Sequence, residues 1–133
     1  MGFLTGKTAI ITGGGRAVLS NGECGSIGYG IATAYAKEGA NLVLTGRNVQ
    51  KLTDAKEELE KKYGIKVLPV QADVSASADN EAIVQNVVKQ AIDTFGRIDV
   101  LINNAQASAS GVTIADHTTE QFDLAVYLSL IHI

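Results

Sequence analysis

The sequence predicts an α/β fold in which a doubly wound parallel sheet of about four strands carries helices on both faces. Short apolar segments alternate with longer amphipathic segments, and no linker interrupts the alternation. Strands separated by helices run in parallel and place those helices on the faces of the sheet. A glycine-rich segment follows the first strand, which is typical of the first strand-to-helix turn in such sheets. The expected strand order is 3-2-1-4, and four strands make an incomplete sheet.

Each element has its own signal in the sequence. The first predicted strand is the apolar run Thr8–Thr12, and the first helix, Ser26–Lys37, ends before Gly39. The remaining elements follow in order as the strand Asn41–Thr45, the helix Val49–Tyr63, the strand Lys66–Gln71, the helix Asp79–Phe95, the strand Asp99–Ile102 and a helix that begins near Thr118.

Helical spacing of apolar residues predicts the buried faces of the three complete helices. The first helix presents Ile27, Ile31, Ala34 and Tyr35 at this spacing. The second presents Leu52, Ala55, Leu59 and Tyr63. The third is expected to bury Ile83, Val84, Val87, Val88, Ala91, Ile92 and Phe95.

Composition limits the class of protein. The 133 residues are 46% hydrophobic and 19% charged, which fits one globular domain. A net charge of −3 argues against a nucleic-acid partner, and no apolar run approaches the roughly 18 residues of a membrane span. The first residues do not resemble a signal peptide, and a single cysteine, Cys24, suits a reducing compartment. We therefore expect a cytoplasmic protein.

Charged and glycine-rich positions fall where the parallel strands end. The glycine turn follows the first strand, and Arg47 follows the second without an acidic neighbour. An acid at that place binds a ribose 2′-hydroxyl, whereas a basic group pairs with a 2′-phosphate. Together with Arg16 in the turn itself, Arg47 favours NADP(H) over NAD(H). The alternative is that both arginines are only exposed charges, and that Asp73 and Asn103 at the next two strand ends are turn formers.

In combination, these motifs resemble the short-chain dehydrogenase/reductase family from about Leu4 to Tyr127. The motifs are Thr-Gly-Gly-Gly-Arg, Thr-Gly-Arg-Asn, Asp73-Val74 and Asn103-Asn104-Ala105. The resemblance implies a Rossmann-type fold with a phosphate groove, a 2′-phosphate contact, an adenine contact and a ribose-side edge. The residues implied for cofactor binding are Gly13, Arg16, Ser26 and Ile27 at the phosphates, Gly28, which would allow a close approach of the helix, Arg47 at the 2′-phosphate, Asp73 and Val74 near the adenine, and Asn103 and Ala105 at the edge of strand four and the ribose.

The sequence also departs from the family pattern. About eight extra residues, 17–24, lengthen the glycine turn, and Gln106 replaces the glycine that usually follows Asn-Asn-Ala. The segment Ser26–Ala32 resembles enoyl-acyl-carrier-protein reductases, although the asparagine pair argues against that branch. It remains open which glycine contacts phosphate.

The catalytic set of the family has no counterpart in this sequence. The family uses a serine and a tyrosine followed four residues later by lysine. The residues four positions after the tyrosines are Thr33, Gly39, Val67 and Ile131. Cys24, His117 and His132 lack partners at ligand or catalytic spacing, so we expect neither a catalytic residue nor a metal site.

The final six residues, 128–133, resemble the translated transposon end that is used to tag DNA for sequencing. We therefore expect residues 1–127 to be the amino-terminal part of one domain, 128–133 to be a non-native tail, and the natural protein to continue. The expected function is the cofactor-binding half of a reductase of a carbonyl, 3-oxoacyl-type or similar, or a dehydrogenase of an alcohol. The whole protein is expected to be a homo-oligomer. The alternatives are an enoyl-thioester reductase and a non-enzymatic nucleotide-binding protein.

Overall fold

The computed structural model of the chain describes residues 2–17, 26–73, 80–105, 114–116 and 118–120. Within these ranges, parallel strands alternate with helices. The strands are β1 (Thr8–Thr12), β2 (Asn41–Gly46), β3 (Val67–Gln71) and β4 (Val100–Ile102), and the helices are α1 (Ile27–Lys37), α2 (Val49–Tyr63) and α3 (Asn80–Phe95). A 3-10 turn lies at Ile114–Asp116, and residues 119–120 are helical.

The strand order is β3-β2-β1-β4 and all three pairings are parallel, which confirms the predicted fold class and order. The register of the central pair runs from Thr8 opposite Asn41 to Thr12 opposite Thr45. The bounds of β1 and α2 are as predicted, and the strand bounds elsewhere differ by one residue. The predicted start of α3 at Asp79 and the last predicted helix beyond residue 120 lie outside the described residues.

Side chains of the central strands alternate between two separate hydrophobic layers. The layer shared with α1 and α2 contains Ile11, Leu42 and Leu44 of the sheet. The layer shared with α3 contains Ile10 and Val43. Because both faces of β1 and β2 are covered by helices, these strands consist of almost continuous apolar residues. The carboxyl ends of the strands are left as the edge at which a ligand can approach.

The buried face of α1 differs from the predicted one. Ile27 is 69% exposed and Ala34 is exposed, whereas Tyr29, Ala32 and Ala36 are buried. The other two predicted residues, Ile31 and Tyr35, are half-buried and pack against the same layer. The close approach of α1 to the turn occurs at Gly28, and Ile27, the residue before it, is exposed. Hydrophobicity alone favoured the larger isoleucine.

In α3 the predicted face is too wide. Val87 and Ala91 are buried against the sheet, but Val88 is 41% and Ile92 is 44% exposed. The helix packs on β2 and β3, and no second helix of the described residues covers its other side. None of the helices in the described ranges is both long and apolar enough to cross a membrane.

Asp99 joins β1 and β4 at the amino ends of the strands. Its carboxylate accepts hydrogen bonds from the Thr8 N–H at 2.9 Å and from Arg97 Nη2 at 2.6 Å. The Arg97 guanidinium, followed by the Thr8 N–H, lowers the pKa of Asp99 to about 2. This network lies at the opposite end of the sheet from the glycine turn and has a structural role.

Candidate functional site

The glycine turn leaves β1 at Gly13, whose φ of +68° lies in the left-handed region. A Cβ at this position would also lie 2.9 Å from the side-chain nitrogen of Asn104. The next residue, Gly14, donates its N–H to the Thr45 carbonyl at 3.0 Å. The turn is therefore fixed to the carboxyl end of β2, and glycine is required where it begins.

The amino terminus of α1 lies directly on this turn. Ser26 caps the helix, because its hydroxyl accepts a hydrogen bond from the Tyr29 N–H at 3.3 Å. A Cβ on Gly28 would lie only 2.1 Å from the Gly13 carbonyl oxygen, so the structure shows the close approach expected of Gly28. Ile27 is largely exposed at the first helical position. Free N–H groups and the positive end of the helix make this a suitable place for a phosphate.

Asn104 and Thr12 hold the turn and the end of β4 together. The Asn104 side chain donates to the carbonyls of Thr12 at 3.1 Å and Gly13 at 3.2 Å. The Thr12 hydroxyl accepts hydrogen bonds from the N–H groups of Asn104 and Ala105, both at 3.0 Å. These bonds join the ends of two adjacent strands and fix the backbone of the turn.

Asn103 and Ala105 were the residues expected at the edge of strand four, whereas the side chains that join the strand ends belong to Asn104 and Thr12, which were not expected there. The Asn103 side chain is exposed, and Ala105 takes part through its backbone. Side chains alternate between the two faces of an extended segment, so only one of two successive asparagines can point toward the turn at Gly13. The signal in the sequence that could have identified Asn104 is Thr12, which lies at the end of the neighbouring strand β1.

Arg47 lies at the end of β2, directly before Asn48, which caps α2. It is exposed, and its guanidinium has no ion-pair partner in the described ranges. Its carbonyl accepts a hydrogen bond from the Gln71 side chain at 3.2 Å. A cation is thus available beside the strand end where a ribose phosphate would be recognised.

The end of β3 lies beside that of β2. The Ala72 N–H donates to the Gly46 carbonyl at 2.9 Å, and Asp73, the next residue, is exposed. Val74, the other residue expected near the adenine, lies outside the described residues. The structure therefore brings together the carboxyl ends of all four described strands, as the cofactor interpretation requires.

Arg16, which the sequence analysis grouped with the phosphate site, is attached to α2. Its Nε lies 2.6 Å from a carboxylate oxygen of Glu58, and its guanidinium lies 5.9 Å from the centre of the Tyr29 ring. Attraction by Glu58 raises the pKa of Arg16. Burial, followed by hydrogen bonding to Glu58, raises the pKa of Tyr29, while the Tyr29 hydroxyl lowers the pKa of Glu58.

No group of three His, Cys, Asp or Glu side chains that could hold a metal ion occurs in the described part of the chain. What the described part of the site offers is the amino terminus of α1 beside the turn at Gly13, and the exposed Arg47. These groups bind anions and ribose. The predicted non-native tail and both histidines lie outside the described residues.

Comparison with known proteins identifies the family. The family model for short chain dehydrogenases matches residues 7–131. The chain is 62% identical over 130 residues to a 12alpha-hydroxysteroid dehydrogenase from a Clostridium species, covering 98% of this chain and 48% of that protein. The chain thus spans about half the length of this curated relative.

Solved structures give the same result. An L-sorbose reductase from Gluconobacter frateurii in complex with NADPH and L-sorbose has a TM-score of 0.75 and 35% identity, covering 98% of this chain and 44% of that chain. A short chain dehydrogenase/reductase from Burkholderia phymatum in complex with NAD has a TM-score of 0.74 and 26% identity, with 99% and 41% coverage. The chain belongs to the short-chain dehydrogenase/reductase family of oxidoreductases, which use NAD(P)(H).

Proposed function

We propose that this chain is the cofactor-binding part of an NADP(H)-dependent oxidoreductase that interconverts an alcohol and a carbonyl compound. The nicotinamide cofactor supplies the hydride when it is bound. The chain's own residues bind and orient it: the turn at Gly13, the helix that Ser26 caps and the exposed Arg47. Because a single cysteine suits a reducing compartment, the proposal places this activity in the cytoplasm, with a homo-oligomer as the expected assembly.

The exposed arginine at the end of β2 carries this proposal. Arg47 follows Gly46, and the nearest acid along the chain is Asp54, which accepts a hydrogen bond from Gln50 in α2. Among the described residues, no carboxylate directly follows β2 to bind a 2′-hydroxyl, and the exposed cation of Arg47 can pair with a 2′-phosphate. Where Gly28 packs on Gly13, neither residue places a side chain between α1 and the start of the turn. The residues present thus fit a phosphorylated dinucleotide.

One relative of the chain suggests the substrate. Because a 12alpha-hydroxysteroid dehydrogenase shares 62% of aligned residues with this chain, we propose a secondary alcohol or ketone of a steroid as the substrate. A chain without the family's serine and Tyr-x-x-x-Lys has no group to protonate the carbonyl oxygen. We therefore expect no turnover of a 12alpha-hydroxysteroid by the 133-residue chain, as measured by NADPH absorbance. Turnover above the rate without protein would contradict this expectation.

Cofactor binding tests the proposal directly. Titration of the chain with NADPH and NADH, followed by cofactor fluorescence, should show a preference for NADPH of about tenfold or more, the value of one charge-assisted bond. Arg47→Gln should remove most of that preference and leave NADH binding nearly unchanged. Lys37→Gln, at an exposed cation in the last turn of α1, is the matched control and should change neither affinity. Equal or absent affinity for both cofactors would contradict the proposal.

A further inference from the structure

Arg16 is the cation of the glycine turn, yet both its backbone and its side chain are attached to α2. Its N–H donates to the Lys51 carbonyl at 3.0 Å. Its guanidinium pairs with Glu58 and lies over the buried ring of Tyr29. The side chains of Arg16 and Glu58 are 28% and 25% exposed, so the pair is only partly open to water. These contacts fix the direction of the Arg16 side chain.

That direction leads away from Arg47. Glu58 follows Lys51 by seven residues of α2, which is about 10 Å along a helix axis. Arg47 lies at the other end, before the N-cap of the same helix. The open groove that contains Arg16 is lined otherwise by Asp54, Glu57, Glu58, Lys61 and Lys62, all on α2. The guanidinium of Arg16 therefore lies beside the middle of α2, not beside the end of β2.

Glu58 is itself held in place by two further groups. Lys62 donates to its other carboxylate oxygen at 3.0 Å. The Tyr29 hydroxyl lowers the pKa of this carboxylate, which favours its charged form. Tyr29 is only 5% exposed. The anion that pairs with Arg16 is thus supported by a buried group of α1 and an exposed group of α2.

We propose that Glu58 is a positioning residue that withholds Arg16 from the cofactor, so that discrimination between NADPH and NADH depends on Arg47. This inference rests on the proposed function, because it concerns how the same site recognises the 2′-phosphate. To bind Arg16, a phosphate must replace the Glu58 carboxylate that is already paired with it. Because one anion replaces another, the exchange gains little binding free energy. Without the charge of Glu58, Arg16 becomes a second cation that can pair with the 2′-phosphate.

A double-mutant cycle on the full 133-residue chain tests this inference. NADPH and NADH affinities are measured for Arg16→Gln, Glu58→Gln, the double variant and Arg47→Gln. We expect Arg47→Gln to lower the preference for NADPH by about tenfold and Arg16→Gln to change it by less than about twofold. Glu58→Gln should raise the preference by about threefold, and the double variant should not show this rise. Glutamine keeps an acceptor for Tyr29, and circular dichroism checks that each variant folds.

The cofactor preference separates positioning from a merely structural role, which would change both affinities alike. Equal losses of NADPH and NADH binding in Glu58→Gln would overturn the inference. So would a loss of preference in Arg16→Gln as large as that in Arg47→Gln, a result that does not depend on the folding of the Glu58 variants. In either case the proposed function stands, provided that the unaltered chain prefers NADPH. Equal or absent binding by the unaltered chain would overturn both.

Discussion

At the scale of single residues, Gly28 shows most directly how the cofactor turn depends on packing. A Cβ at Gly28 would lie 2.1 Å from the Gly13 carbonyl oxygen, so Gly28→Ala must push α1 away from the turn. We expect a loss of about 1–3 kcal/mol in unfolding free energy and a loss of NADPH binding. Thermal unfolding and cofactor titration measure the two effects.

Gly30, two residues further along α1, provides the control for this prediction. Nothing lies within 4 Å of a Cβ built at Gly30, so Gly30→Ala should stabilise the chain by up to about 1 kcal/mol and leave NADPH binding intact. Equal effects of the two substitutions would show that general helix propensity, not contact with the turn, determines the result.

The residue scale is also where sequence reasoning was least complete. It identified the glycine turn from composition and position, because a glycine-rich segment directly after a strand is typical of a strand-to-helix turn that binds phosphate. It did not identify Asn104, since the choice between Asn103 and Asn104 depends on which face of the segment after β4 lies toward the glycine turn. It also assigned Arg16 to the phosphate site, and that role stays a prediction. A sequence does not show in which direction a long side chain points. In the structure, this direction follows from the ion pair with Glu58, which lies on a different helix, α2.

At the scale of elements, α3 offers a test of the observed buried face. Val87 is 6% exposed and Val88, its neighbour, is 41% exposed, although both were expected to be buried. Val87→Ala should lower the unfolding free energy by about 1–2 kcal/mol, since it removes buried methyl groups. Val88→Ala should change it by less than about 0.5 kcal/mol. Denaturant unfolding of the two variants shows which face of α3 is buried. Similar losses of unfolding free energy would favour the wider, predicted face.

The pairing of β1 with β4 depends on Asp99, and this makes the element sensitive to acid. The pKa of Asp99 is lowered to about 2, so its contribution to stability is complete above its ordinary value near 3.8 and disappears as pH falls toward 2. Asp99→Asn should lower the Tm at pH 7, and the Tm difference from the unaltered chain should narrow between about pH 4 and pH 2.

Asp93→Asn is the matched control for this pH dependence, because Asp93 is exposed on α3 and has no ion pair in the described ranges. Its Tm should stay near that of the unaltered chain at pH 7. A difference for Asp99→Asn that persists unchanged at pH 2 would contradict the assigned role of the carboxylate.

For the elements themselves, sequence patterns were sufficient to predict type, order and strand pairing. The apolar runs of β1 and β2 are short and bounded, and the alternation with helices leaves few possible arrangements. Faces were harder to predict, because they depend on how closely two elements approach. In α1 Ile27 is exposed although hydrophobicity favours its burial, whereas Tyr29, which was not part of the predicted face, is buried.

At the scale of the whole molecule, the described sheet has β4 at one edge, with Leu101 49% exposed. An apolar strand with free backbone groups promotes pairing with other chains, so we expect the 133-residue chain to aggregate on heating. Leu101→Lys should raise the soluble fraction after expression and delay the onset of light scattering, because a charge on an edge strand opposes such pairing. Phe3→Lys removes an equally apolar residue, 80% exposed but away from the sheet edge, and should have a smaller effect. Equal improvement in both variants would assign the aggregation to general surface hydrophobicity. A reversible thermal transition of the unaltered chain as a monomer would contradict the expected aggregation.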